Sequence, residues 1–219
     1  MRKFIEYNIP DIKQINESTG RRYSTPEGKL YPSVTSVLSI EENPLLDAWR
    51  KRVGEDTANK ISRTATVKGS KVHEACEDYL QGKETNWGVA DADARELFQA
   101  FVPVIDSISV VHAMETRMWS DTLQVAGTVD LICEIEGELT ILDWKTSSRY
   151  KRKEDIPNYF RQMASYAVMF YERTGVVVPN IMVQMTVPEV GLLTFKDKVK
   201  PWVPGFVELR NKFREIKGY

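Results

Sequence analysis

Two aspartates and a lysine sit at matching ends of two neighbouring β-patterned segments. Asp130 falls within residues 123–135, and Asp143 and Lys145 fall within 138–146, in the run LTILDWK. Only Glu136–Gly137 separates the two segments, so a two-residue turn would pair Ile135 with Glu138 and set Asp130 opposite Asp143. A Glu–Gly turn specifies register less firmly than Asn–Gly, and a bulge would shift the pairing by one. In this register two carboxylates share a sheet face with Cβ atoms about 5 Å apart. Like charges placed so destabilise a sheet unless a cation lies between them, and a divalent metal ion fills that role with oxygen ligands. Lys145, two residues beyond Asp143, lies on the same face. The Trp144 side chain points the other way, but its carbonyl borders the site. Two acids, a lysine and a hard cation suit phosphodiester hydrolysis. The ion neutralises non-bridging oxygens and acidifies a bound water, while the lysine positions or activates that water. Asp-x-Lys alone is more often a surface salt-bridge ladder; the opposed acid on the preceding strand is what lifts it above that reading.

The elements that must hold these residues can be read from periodicity. Residues 1–40 mix polar turns with a β-prone run from Tyr31 to Leu38, which predicts a hairpin or arm. Asn43–Pro44 opens a helix through Trp49 and Arg50, with proline near the first helical position. Residues 56–63 and 69–81 read as two helices, and Asp91 to about Ile108 as a third long one. From Ser109 the period changes to strands at 109–118, 123–135 and 138–146. In the second of these, Val125, Gly127, Val129, Leu131, Cys133 and Ile135 alternate onto one apolar face. A helix is expected at about 155–173, ended by Gly175, then strands near 176–186 and 190–196 and a last helix from Pro201. The order predicts an α/β sandwich with a mixed sheet.

Composition narrows the class. With 219 residues, 42% hydrophobic and 28% charged, the chain is long enough for a substantial core and too apolar for wholesale disorder. No run approaches the roughly 18 apolar residues of a membrane span. The start, MRKFIEYNIPDIK, has charge but no apolar run, so no secretory signal is expected and the cytoplasm is the default compartment. Two cysteines, Cys76 and Cys133, are too few for a disulfide framework or a four-cysteine metal centre. The net charge of −1 argues against a polyanionic partner, but it is unevenly spread. Residues 48–72 carry Arg50, Lys51, Arg52, Lys60, Arg63, Lys68 and Lys71 against Glu55 and Asp56, a net +5. Residues 145–153 carry Lys145, Arg149, Lys151, Arg152 and Lys153 with no acid, again +5. Each run alone reads as a solvated face. Together, bracketing an acidic region, they fit a polyanion groove beside a metal pocket, with modest, strongly salt-dependent affinity.

The spacing of these residues carries a specific resemblance. Gly127-Thr128-Val129-Asp130, twelve intervening residues, then Asp143-Trp144-Lys145-Thr146-Ser147 resembles the nuclease core of the PD-(D/E)XK superfamily. Upstream, Gly69-Ser70-Lys71-Val72-His73-Glu74 is similar to the helical motif of its RecB-like exonuclease branch, whose histidine is a metal ligand. Downstream, Gln162-Met163-Ala164-Ser165-Tyr166 is similar to that branch's Gln-x-x-x-Tyr motif. Val129 stands where the superfamily's name has proline, and the cluster-binding cysteines of some members are absent, so no iron–sulfur cluster is expected.

The resemblance implies a restriction-endonuclease-like core, a central mixed sheet flanked by helices, over residues 67–219. Residues 1–66 would form an N-terminal helical and hairpin elaboration of the same single domain. It implies one or two Mg²⁺ or Mn²⁺ ions held by His73, Asp130, Asp143 and the Trp144 carbonyl. Lys145 would assist the attacking water, and Gln162 and Tyr166 would act on the same catalytic flank. Glu115 and Glu77 are candidates for an extra ligand or for orienting the imidazole. Arg149, Lys151, Arg152, Lys153, Arg50, Lys68 and Lys71 are candidates for phosphate contact, and Trp49, Tyr150 and Tyr159 for base stacking. The implied activity is a DNA exonuclease working on strand ends, single-stranded ones foremost, beside replication or recombination proteins in a bacterial or phage-infected cytoplasm. An endonuclease on the same core and a catalytically silent DNA-binding module are the alternatives.

Overall fold

The computed structural model describes residues 2–17 and 20–219; Met1, Ser18 and Thr19 lie outside them. Strands β1 (Lys3–Phe4), β2 (Lys13–Glu17), β3 (Gly20–Ser24) and β4 (Leu30–Pro32) are followed by helices α1 (Val34–Leu38), α2 (Pro44–Val53) and α3 (Glu55–Leu80). Next come α4 (Ala92–Gln99), α5 (Val102–Asp106), β5 (Ile108–Ser120), β6 (Val125–Ile135), β7 (Glu138–Thr146) and α6 (Pro157–Thr174). Strands β8 (Asn180–Val187) and β9 (Gly191–Lys198) and helix α7 (Val203–Lys217) complete the chain. Six strands form one mixed sheet in the order β1-β5-β6-β7-β8-β9, with β1 parallel to β5 and β7 parallel to β8. Helices α3, α4 and α5 pack on one face, through Val72, Cys76, Phe98, Phe101 and Ile105. Helices α1, α6 and α7 cover the other, through Val37, Phe160, Phe170, Phe206 and Phe213. This is the expected α/β sandwich.

The β6–β7 hairpin forms where its turn signal places it. Glu136 and Gly137 have φ of 54° and 77°, the paired positive values of a type I′ turn. The register runs from Ile135↔Glu138 to Leu131↔Leu142, as expected. Helix α6 begins at Pro157 and ends at Gly175, whose φ of 73° closes it in the left-handed conformation.

Four details depart from the sequence expectation. Residues 55–80 form one helix, because nothing between the two anticipated segments breaks it. Thr64 and Thr66 satisfy their hydroxyls on the carbonyls of Lys60 and Ser62 one turn back. The long pattern after Asp91 is instead split into α4 and α5, since Pro103 has no N–H to continue the ladder. The β-prone run after Tyr31 turns helical at Val34, with Ser33 accepting from the Ser36 N–H as N-cap. The single apolar face foreseen for 123–135 is also broken. Val125 and Val129 pack toward α6, whereas Leu131, Cys133 and Ile135 pack toward α3. The alternation slips by one at Asp130.

The described N-terminal strands are tied into the body. β1 extends the main sheet, and β2-β3-β4 form a second, antiparallel sheet. Asp121, in the β5–β6 turn, anchors that sheet. Its carboxylate accepts from Lys29 Nζ (2.7 Å), the Tyr31 hydroxyl (2.8 Å), Trp119 Nε1 (3.2 Å) and Arg173 (3.1 Å). The hydrogen bond from Lys29, with that from Tyr31, holds its pKa down at about 2 against the opposing effect of burial. Asp121→Asn is expected to cost about 1–2 kcal/mol, a low figure because solvent screens the pair. A depressed carboxylate pKa stabilises only above its unfolded value. The gap between wild type and variant in urea unfolding should therefore be full above about pH 4 and close as pH falls towards 2.

Candidate active site

The row containing Asp130 is where the main sheet splays. By register Asp130 lies opposite Asp143 on β7 and opposite Glu115 on β5, yet the β6–β7 ladder stops at Leu131↔Leu142 and the β5–β6 ladder skips from Met114↔Leu131 to Thr116↔Val129. Glu115 has φ of +45°, rare for a residue with a side chain and found where surroundings enforce it. Asp130 Oδ2 takes up the freed Trp144 N–H at 3.3 Å. Three carboxylates from three adjacent strands therefore converge where backbone pairing fails.

His73 reaches this row from α3. Its Nε2 lies 2.6 Å from the Trp144 carbonyl, and Nδ1 lies 3.4 Å from Asp130 Oδ2. A carbonyl only accepts, so Nε2 carries the proton and Nδ1 turns toward the acids. Burial, with the nearby Lys145 charge, lowers the imidazole pKa. Ligand atoms of His73, Glu115 and Asp130 all lie within 4.8 Å of one another. Glu115, read from sequence only as an extra candidate, is thus inside the cluster. Asp143 stands beside it, bound to Lys145 Nζ at 2.6 Å, and that same Oδ2 is buried without a hydrogen bond of good geometry.

Negative charge is in excess here. Burial, reinforced by Asp130, pushes Glu115 up to about 8 and Glu77 up to about 7. Burial likewise raises Asp143 to about 7 and raises Asp130, with Lys145 opposing in both cases. Burial works against the Lys145 charge, but Asp143 and Asp130 outweigh it and raise its pKa. Crowded carboxylates, more of them than the one lysine can neutralise, and an imidazole lone pair make a donor set that fits a divalent cation.

The cluster opens into a cavity of about 790 Å³. Gln162 and Tyr166 line it from α6, the amide donating to the Tyr166 hydroxyl at 3.1 Å. Tyr166 lies against Gly127, where an added Cβ would sit 2.7 Å from the ring, so the glycine of Gly-Thr-Val-Asp is what admits the tyrosine. Glu77 also lines the cavity, but the group facing the His73 Nδ1 is Asp130.

The basic residues divide. Lys68, Arg149 and Lys151 line a groove of about 600 Å³ with Lys60 and Tyr159, bringing the two +5 stretches together beside Thr146. Lys145 Nζ lies over the Tyr159 ring at 5.1 Å. Lys68 is also paired with Asp93 at 2.7 Å. The other candidates are engaged elsewhere: Arg50 with Glu55, Lys71 with Glu74, Arg152 with Asp155, and Lys153 with Asp197. Tyr150 is exposed, and Trp49 is half-exposed on α2, a helix that buries no residue. Sequence reasoning missed the wall supplied by β2, β3 and β5, namely Gln14, Arg21, Tyr23 and Arg117. No local pattern marks these residues, because strand pairing over long separations brings them to the site.

The sequence is similar to those of known proteins. A stretch of 132 residues is 30% identical to mitochondrial genome maintenance exonuclease 1 of Homo sapiens, and 128 residues are 28% identical to that of Mus musculus. Each match covers 55% of this chain, and the chain spans only 38% of either relative. A solved structure, SSO0001, superposes with a TM-score of 0.46 and 13% identity over 84% of this chain and 75% of its own. The model of the PD-(D/E)XK nuclease superfamily matches residues 39–201, well over half the chain and every motif above. This chain belongs to the PD-(D/E)XK nuclease superfamily.

Proposed function

We propose that the chain is a metal-dependent DNA exonuclease that hydrolyses phosphodiester bonds from the ends of single-stranded DNA. The observation that carries this reading is the row Glu115–Asp130–Asp143, met by His73 from one side and Lys145 from the other. His73, Glu115 and Asp130 would hold Mg²⁺ or Mn²⁺, with Asp143 and the Trp144 carbonyl at its border. When bound, the ion supplies Lewis acidity and a water of lowered pKa.

The chain's own groups do the rest. Lys145 Nζ, fixed by Asp143, can hold the attacking water or a non-bridging phosphate oxygen. The His73–Trp144 hydrogen bond ties α3 to β7 and keeps the imidazole aimed at Asp130. Gln162 and Tyr166 offer an amide and a hydroxyl to the strand in the cavity. The groove lined by Lys60, Lys68, Arg149 and Lys151 attracts the backbone, with Tyr159 at its floor for a base to stack on. The exonuclease mode follows the named relatives. A role at strand ends places the protein beside replication or recombination proteins.

A circular and a linear single strand of equal length separate the two cleavage modes. The linear strand should be degraded from its ends with Mg²⁺ or Mn²⁺ while the circle persists. Degradation of the circle would convert the reading to an endonuclease on the same core.

A further inference from the structure

One wall of the cavity is built by the N-terminal sheet, through Gln14, Arg21 and Tyr23. Arg21 and Tyr23 are two residues apart on β3, so they share one face, and their partners across β2, Asn16 and Gln14, share it too. That face is held against β6. The Tyr23 hydroxyl donates to Gln14 Oε1 at 3.3 Å and lies 3.4 Å from Thr128 Oγ1, two residues before Asp130. Ser33 forms a β-bridge with Ala126, and Asp121 clamps Lys29 and Tyr31. Arg21 is therefore fixed relative to the carboxylate row.

The adjacent arginines of β3 have different lives. Arg22, on the strand's other face and largely covered, donates to the Leu30 carbonyl, pairs with Glu17 at 3.8 Å and stacks 4.4 Å from the Tyr219 ring. Arg21 is exposed at the cavity and makes no side-chain hydrogen bond or ion pair among the described residues. Arg117 of β5, which lines the same cavity, has a loose partner, Asp11 at 3.5 Å, with both side chains open to solvent. Two guanidiniums thus face a cavity whose other charged groups near the row are chiefly acids. A planar fork of donors recognises phosphate oxygens in two-point fashion, which an ammonium does not.

We propose that Arg21, with Arg117, is a positioning site for a backbone phosphate of the nucleic-acid strand beside the scissile one, so that the N-terminal sheet sets the strand's register over the acids. This rests on the nuclease reading above. The wall would add a phosphate contact at the cavity to those offered by the groove of Lys60, Lys68, Arg149 and Lys151.

The test is fluorescence-anisotropy binding of a labelled single-stranded oligonucleotide to the full chain in chelator, across a salt series, joined to steady-state cleavage with Mg²⁺. Arg21→Ala should weaken binding about three- to tenfold and lower the slope of log affinity against log salt by about one. Its KM should rise by a larger factor than its kcat falls. Arg21→Lys should recover part of the binding and all of the salt slope, because the charge returns without the fork. Arg22→Ala should bind like wild type. An Arg21→Ala protein with unchanged affinity and slope, while wild type binds and cuts, would overturn this proposal and leave the nuclease reading standing. Wild type that neither binds nor cuts the strand would overturn both.

Discussion

Asp143→Ala should cut single-stranded DNA about a hundred- to a thousandfold more slowly than wild type while melting at an unchanged or higher temperature. The rate loss is expected because Asp143 does two things at once. It borders the cation cluster, and it fixes Lys145 Nζ at 2.6 Å. Removing it frees the lysine and empties one side of the charge array, and losing one preorganised electrostatic group costs about 10²–10³ in rate. Asp130→Ala and Lys145→Ala should fall by similar factors, since each interrupts the same unit, and the losses should not add when combined. Stability should hold or rise because Asp143 is a buried acid pushed up to about 7 by its surroundings. Lys145 loses one counter-charge but keeps Asp130 as the other, and the relief of crowding among the carboxylates offsets the broken pair. Equal cleavage by wild type and Asp143→Ala would remove this residue from the mechanism.

Trp144→Ala should cost about 3–5 kcal/mol of stability, the range for truncating a buried aromatic. In a chain of this size that lowers the melting temperature by on the order of 10 °C. Trp144 is 2% exposed and sits edge-on to Phe101 with ring centroids 5.0 Å apart, joining β7 to the turn between α4 and α5. Its neighbours in sequence are Asp143 and Lys145, so the indole clamps the segment that presents both toward α6. Cleavage should fall as well, because misplacing a reacting group by an ångström is enough to cost about a hundredfold. Trp144→Phe should keep most of both properties. Thermal unfolding monitored by circular dichroism reads the first effect, and a loss below about 1 kcal/mol would contradict the packing argument.

Much of this site is local in sequence and could be read there. Asp130, Asp143 and Lys145 lie on one hairpin whose two-residue turn sets the register. His73 and the Gln162–Tyr166 pair lie on helices with regular apolar faces, and Gly175 and Pro157 mark the ends of α6 plainly. Glu115 was legible only as an acid near the right strand. Its place opposite Asp130 depends on two bulges between β5 and β6, near Ile108/Val110 and Val111/Ala113, and on a positive φ at a residue that rarely adopts one. The slip in alternation at Asp130 has the same origin, since a period-2 pattern assumes an unbroken ladder. The N-terminal sheet was less legible still. Neither KQINE nor GRRYS alternates in polarity, and the sheet exists because Ile12, Tyr23 and Tyr31 find Trp119 and Ala126 far along the chain. The net charge of −1 also hid the groove between Lys60 and Lys151, which a local count revealed and the fold then assembled.

If the carboxylate row with His73 and Lys145 is a cation-dependent centre for cutting DNA, cleavage must switch on with the ion and depend on Asp143. The most direct measurement is single-turnover cleavage of an end-labelled linear single strand by the purified chain, first in chelator and then with Mg²⁺ or Mn²⁺ added. The strand should stay intact in chelator, fall to mononucleotides or short fragments once the ion is present, and stay intact throughout with Asp143→Ala. Cleavage that persists in chelator, or that Asp143→Ala carries out at the wild-type rate, would contradict a cation-dependent centre here.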